Sequence, residues 1–348
     1  MTAGGKKECG QSDGMKEKIR LYMSSLDPEL LSVDKAKQLE ILEVAHGAYN
    51  LNYHLRIGGK DFIFRINIEQ QSGLGNQIQY EFNALRFLEG HHIAPRAYHV
   101  DSTCERFNHG ILIEEFIEGT QPSLEAQEMP AVADLLVRLH SLGGGEEWFV
   151  IWKDPLVDTF ELVLRDYLEY ETRRTADKRL LGLGRELLSR LEPLVYKYRH
   201  LYSADAVNHT DVSPDNLIVT SAGLRLIDWE KPRIDDGSYD ICCFLSEPAQ
   251  MWGSSQEVLS RDGREAFLSA YIARCGKGED LVRKKFAYRY PLVSLHWTLW
   301  GALQLCDLQE ERTAAELQEA HETKIGRYLK IADPDNIERL LDASVPMT

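Results

Sequence analysis

The chain has 348 residues, 43% of them apolar and 27% charged, a balance that argues against a disordered chain, a collagen-like fibre or a membrane-embedded protein. Fifty-five acidic against forty basic side chains give a net charge of −15 with no overriding basic patch, so neither nucleic acid nor anionic membrane is expected as a partner. The six cysteines form no CxxC pair and are expected to be reduced, and with a polar start and no long apolar run the protein is expected in the cytoplasm, as monomer or homodimer.

Residues 1–14 lack any periodicity and read as a disordered leader, with regular structure from Met15. Residues 51–57 and 62–68 are β-prone runs separated by Gly58, Gly59, Lys60 and Asp61, a hairpin signal. A polar loop over 69–77 follows. From Ile78 the apolar positions Phe82, Leu85 and Leu88 keep helical spacing up to Gly90, a candidate C-cap. Residues 110–117 form another apolar strand, and Gly119 and Pro122 then end the pairing and mark a lobe boundary, giving lobes over 15–118 and 119–348.

After Pro130 leucines recur at three- and four-residue intervals, so the second lobe is expected to be mostly helical. The pattern breaks over 205–230 and resumes from about Arg264. The expected fold class is α+β, a small antiparallel-sheet lobe followed by a larger helical one.

The break holds NHTDVSPDNLIVTSAGLRLIDWE, residues 208–230. Residues 217–219 and 224–227 are short apolar strands joined by a tight-turn composition, Thr220 to Gly223. Folding that hairpin brings together Asn216, just before the first strand, and Asp228, just after the second. An amide oxygen and a carboxylate at short separation suit Mg²⁺ holding nucleotide phosphates. Asp211 lies five residues before Asn216, within reach of a hydroxyl set against such a phosphate.

The pattern H-x-D-x-x-x-x-N followed by I-D-W-E resembles the catalytic and metal loops of the aminoglycoside phosphotransferase and choline kinase superfamily. The resemblance implies a bilobal protein-kinase-like fold and an ATP- and Mg²⁺-dependent small-molecule kinase. Asp211 would orient and deprotonate an alcohol acceptor, with Asn216 and Asp228 as metal ligands. Arg65, in FIFRIN, stands where protein kinases place lysine, and Glu81, sixteen residues on, would pair with it. GAYNLNY, residues 47–53, occupies the place of the phosphate-covering loop and implies a phosphate contact for Asn50. GILIEEFIEG, residues 110–119, looks like the hinge whose backbone, at Glu115 and Ile117, receives adenine.

For the acceptor, SLHWTLWGALQ, residues 294–304, sets Trp297 and Trp300 on one helical face and resembles the W-x-x-W-x-x-x-Q segment of choline and ethanolamine kinases. Glu247 and Trp252 follow the metal aspartate by nineteen and twenty-four residues, where that family holds an acid and an aromatic. Aromatic faces with a carboxylate suit a trimethylammonium group, so Glu230, Glu247, Trp252, Trp297 and Trp300 are expected at the acceptor beside Asp211. Lys231 and SEPAQMW depart from the family pattern, which leaves an aminoglycoside, sugar or homoserine phosphotransferase as an alternative. A nucleotide-binding pseudokinase is the alternative from another class.

Overall fold

A computed structural model describes residues 5–33, 38–43, 50–68, 74–144, 146–253, 257–311 and 322–343. Residues 47–49 of the GAYNLNY segment and 69–73 of the polar loop lie outside these. The chain divides into two compact units, Met1–Glu118 with Ile227–Glu230, and Gly119–Leu226 with Lys231–Thr348.

In the first unit, helix α1 (Gly5–Ser25) precedes strands β1 (Leu39–Glu43), β2 (Asn50–Ile57) and β3 (Lys60–Asn67), helix α2 (Gln77–Phe87), and strands β4 (Ala97–Asp101) and β5 (Gly110–Glu115). The strands form one antiparallel sheet in the order β1-β2-β3-β5-β4. The β2–β3 hairpin closes on Gly58 and Gly59, both with positive φ (60° and 81°), the two-residue turn whose twist matches that of the strands. Alternation then sorts the side chains. Tyr53, Leu55, Phe62, Phe64, Ile66, Ile111 and Ile113 are buried on one face with Ile19 and Tyr22 of α1, while Asn50, Arg65, Asn67 and Glu114 fall on the other. Truncating Phe64 to Ala in such a core costs about 3–5 kcal/mol.

Three features differ from the sequence expectation. Helix α1 starts at Gly5, inside the expected leader; the apolar residues that anchor it begin only at Met15 and Ile19, so the segment before them shows no periodicity. Strands β1 and β4 were not anticipated, being five residues each, and β4 carries a register shift between Ala97 and His99 that breaks its alternation.

The second unit holds α3 (Met129–His140), α4 (Pro155–Glu171), α5 (Lys178–Tyr198), β6 (Ala206–Asn208), β7 (Leu217–Thr220), β8 (Gly223–Leu226), β9 (Arg233–Asp235), α6 (Ser238–Leu245), α7 (Glu247–Trp252), α8 (Arg261–Arg274), α9 (Glu279–Glu311), α10 (Glu322–Ile331) and α11 (Asp335–Asp342). One apolar cluster packs α4, α5, α9 and α11 together through Leu156, Phe160, Leu187, Leu191, Leu295, Leu299 and Ile337. Arg289 of α9 is fully buried there, bonded to both oxygens of Asp235 (2.7 and 2.8 Å), to Thr159 Oγ1 and to the Pro155 carbonyl, which ties α9 to β9 and α4. β7 and β8 pair as the expected hairpin, Leu217 opposite Leu226. Its outer edge bridges Thr120 through Val219; a side chain at Gly119 would meet the Val219 carbonyl at 2.2 Å, so only glycine allows that approach. Helices α6 and α7 precede the expected resumption near Arg264. No described helix is long and apolar enough to cross a membrane.

Candidate active site

In the first unit the polar face of the sheet carries one guanidinium among four carboxylates. Arg65 Nη1 donates to Glu81 of α2 at 2.5 Å and to Asp228 at 2.7 Å, and Arg65 Nη2 lies 3.4 Å from Glu114. Glu230 is 3.9 Å from Arg65 and accepts hydrogen bonds from Asn50 and, at 3.1 Å, from Gln77 Nε2. Asn67 in turn donates to Asn50 Oδ1 at 3.0 Å. Burial alone would loosen the proton on Arg65, but Glu81, Glu114, Asp228 and Glu230 together raise its pKa well above the ordinary value. Burial pushes the Glu81 carboxyl up; Arg65 opposes the rise, and Glu114, Glu230 and Asp228 add to it. Glu114 is pushed up by burial as well. Arg65 Nε and Glu114 Oε2 are buried without a hydrogen-bond partner. The group therefore holds more acid than one guanidinium can neutralise, a demand that protons on the raised carboxyls or a bound cation would meet. Asp228 itself, one-third exposed, has a left-handed backbone (φ 69°), a conformation aspartate tolerates.

In the second unit the catalytic-loop candidate is held from α6. Asp240 accepts the backbone N–H of His209 at 2.8 Å and of Thr210 at 2.7 Å, and its Oδ2 lies 3.2 Å from His140 Nε2. Burial would raise the Asp240 carboxyl, yet the hydrogen bond and charge of His140, with His209 adding to them, hold it below its usual value, so it is an anion at neutral pH. Thr210 is β-branched and adopts φ 71°, a strained conformation costing about 1–3 kcal/mol that these bonds hold in place, with Thr210 Oγ1 donating to the Lys231 carbonyl at 2.9 Å. Asp211 follows directly. Its carbonyl accepts from Asn216 Nδ2 at 2.9 Å, so the amide nitrogen is used inside the loop and the amide oxygen is turned away from that bond. Pro214–Asn216 form one 3-10 turn that leads into β7.

A carboxylate such as Asp228 and an amide oxygen such as that of Asn216 are the hard donors Mg²⁺ takes, one or two from protein with phosphates and water completing the shell. Among the described residues no cluster of three or more His, Cys, Asp or Glu side chains is placed to hold a metal ion.

The hinge candidates close β5. Glu115 N–H donates to the Arg96 carbonyl at 2.8 Å, and Ile117 lies beyond the strand. Phe116 between them stacks on His54 at 4.1 Å.

The acceptor candidates are divided between the two units. Glu230 belongs to the Arg65 group described above. Trp252, Trp297 and Trp300 come together, Trp252 to Trp300 at 5.0 Å and Trp297 to Trp300 at 5.5 Å, joined by Tyr328 of α10, which stacks on Trp252 at 5.2 Å. Glu247 is neutralised by Arg264 at 2.5 Å and Arg339 at 3.1 Å. Sequence reasoning left out Glu114, Tyr328 and the anchoring part of Asp240. A glutamate in the register of the buried GILIEE strand was a signal for the first, but Tyr328 had none, since it is brought to Trp252 only by the packing of α10.

The family model described as "Phosphotransferase enzyme family" matches residues 40–283. Solved structures share the fold at low identity. A Plasmodium vivax ethanolamine kinase is 16% identical over 90% of this chain and 83% of its own, with a TM-score of 0.62. A choline kinase from Cryptosporidium parvum is 19% identical over 88% and 91%, also at 0.62. The ADP-bound aminoglycoside phosphotransferase APH(2'')-Ib is 16% identical over 90% and 99%, at 0.51. No curated protein matches the sequence. With Arg65 paired to Glu81 and the H-x-D loop anchored on Asp240, the match over residues 40–283 shows that this chain is an enzyme of the phosphotransferase family, built on the protein-kinase-like fold.

Proposed function

We propose that the chain transfers the γ-phosphoryl group of ATP to a hydroxyl of a small cationic metabolite of the choline or ethanolamine kind. The observation that carries the reading is the loop in which Asp240 fixes the two residues before Asp211 while Asn216 bonds the Asp211 carbonyl. That geometry fixes the backbone on both sides of Asp211.

In this reading Asp211 orients the acceptor hydroxyl and takes its proton, and Asn216 and Asp228 are the protein ligands of Mg²⁺. Bound Mg²⁺ would neutralise charge on the nucleotide phosphates. Arg65, set by Glu81, grips phosphate oxygens, and the backbone at Glu115 and Ile117 receives the adenine. Asn50, locked to Glu230 and Asn67, faces the phosphates, so Glu230 serves as its support. Most of the rate would come from positioning and charge neutralisation. The ADP in APH(2'')-Ib supports an adenine nucleotide as donor. The described cysteines are all free thiols, which suits a reducing compartment such as the cytoplasm.

The aromatic group of Trp252, Trp297 and Trp300 supports a cationic acceptor. The two arginines on Glu247 favour a second reading, a neutral polyhydroxy acceptor such as a sugar, since they remove the carboxylate that an ammonium group would want. An ADP-release assay with choline, ethanolamine, homoserine, kanamycin, thiamine and a neutral hexose separates the two. Asp211→Asn is expected to lose roughly 10²–10⁴ in turnover with ATP binding kept. ADP release from none of these acceptors would overturn the choline-like reading of the acceptor.

A further inference from the structure

The aromatic group already holds a cation of its own. The guanidinium carbon of Arg327, in α10, lies 5.8 Å from the centre of the Trp252 ring, and Arg327 Nη1 donates to the Trp252 carbonyl at 3.3 Å. Arg264 and Arg339, by contrast, are both ion-paired to Glu247 of α7, the helix that carries Trp252. Arg327 forms no salt bridge with any described residue, and its Nε is buried with no hydrogen-bond partner. A guanidinium in that state is held weakly: it has given up water at one nitrogen and has received a ring face and a single carbonyl in return.

The helix that carries it is seated closely. Gly301 follows Trp300 in α9, and a side chain there would meet Ile331 Cγ2 of α10 at 2.5 Å, so glycine at this position lets α10 approach the aromatic group. Ile331 is fully buried and Tyr328 nearly so, which fixes the turn of α10 that presents Arg327.

We propose that Arg327 is an internal substitute for the acceptor's ammonium group, covering the Trp252 face until a cationic acceptor displaces it. This rests on the reading of the aromatic group as the acceptor site, and it adds a selection rule. A ligand must bind the rings better than a tethered guanidinium does, which favours quaternary ammonium over neutral alcohols and lowers apparent affinity for every cation.

The test is a titration of the full chain with tetramethylammonium chloride, read by tryptophan fluorescence against sodium chloride at equal ionic strength. Arg327→Ala and Arg327→Gln are expected to bind the probe about 2- to 30-fold more tightly than the parent chain, the range of one cation–π contact, and Arg327→Lys to stay close to the parent. The KM for choline in the ADP-release assay should fall by a similar factor in the Ala and Gln variants. Thermal melts identify any variant that fails to fold, and the near-isosteric Gln substitution then carries the comparison. Equal or weaker probe binding in the folded Ala and Gln variants overturns the role of Arg327 while leaving the acceptor site standing. Absence of probe binding in all four chains overturns the acceptor reading itself, and Arg327 with it.

Discussion

Arg65 Nη1 donates to two carboxylates of different origin, one from α2 and one from a segment more than 160 residues further along the chain. Four acids face this one base, so its two halves are not equivalent under mutation. Arg65→Met leaves Glu81, Glu114 and Glu230 buried without a counter-charge and is expected to destabilise the first unit by about 3–5 kcal/mol. Glu81→Gln loses a charged hydrogen bond but also relieves repulsion, and is expected to cost under about 1.5 kcal/mol. Urea melts of both variants check this, and equal losses would show that the group has no surplus of negative charge. The pairing of Arg65 with Glu81 was legible from a sixteen-residue spacing. The excess of acid was not, because Glu114 enters through strand register and Glu230 through a segment remote in sequence.

The β2–β3 and β7–β8 hairpins were readable because paired glycines or a turn composition separate runs of matched length. Helix α6 was not. All eight of its residues, Ser238 to Leu245, are buried, so it has no polar face and shows no helical period. Yet this element anchors the catalytic-loop candidate, since Asp240 takes both N–H groups of the strained His209–Thr210 turn. Asp240→Asn keeps the shape but offers one acceptor oxygen where two were used, freeing Thr210 or His209 to relax and Asp211 to shift. Turnover is expected to fall at least about tenfold, with the KM for ATP nearly kept. A change confined to KM would place Asp240 outside the positioning of Asp211. The acceptor group was half legible for a related reason: Trp297 and Trp300 declare a face by their spacing, whereas Tyr328 and Arg327 arrive on a separate helix.

Acid acts in opposite directions on the buried carboxyls beside Arg65 and on Asp236 and Asp240 of the second unit. In the second, Asp236 is held below its usual value, burial being outweighed by Lys285 and Arg289, and Asp240 is held low beside His140. Groups depressed in this way stabilise the fold above the ordinary carboxylate range, and that stabilisation is lost as pH falls through their lowered values, below about pH 4. In the first unit Glu81 and Glu114 are raised, so the folded form binds protons more readily than the unfolded chain. The stabilisation from these two groups is fullest at low pH and declines as pH rises from the ordinary carboxylate range through their raised values, while the lowered His99 in β4 acts the other way. Hydrogen exchange is therefore expected to show protection in β3 and α2 holding or rising from pH 7 to 5, with protection in α6 and α9 falling only below about pH 4. Loss of β3 protection on mild acidification, ahead of α6, would contradict this assignment.

The first unit is completed by Ile227–Glu230, which the chain delivers only after more than a hundred residues of the second unit. On the ribosome, Arg65 thus emerges long before Asp228, and Asn50 and Gln77 before Glu230. The nascent sheet has all its strands by Glu115, yet carries polar groups that only later synthesis can satisfy. A single proteolytic cut anywhere in the chain would not release that unit intact.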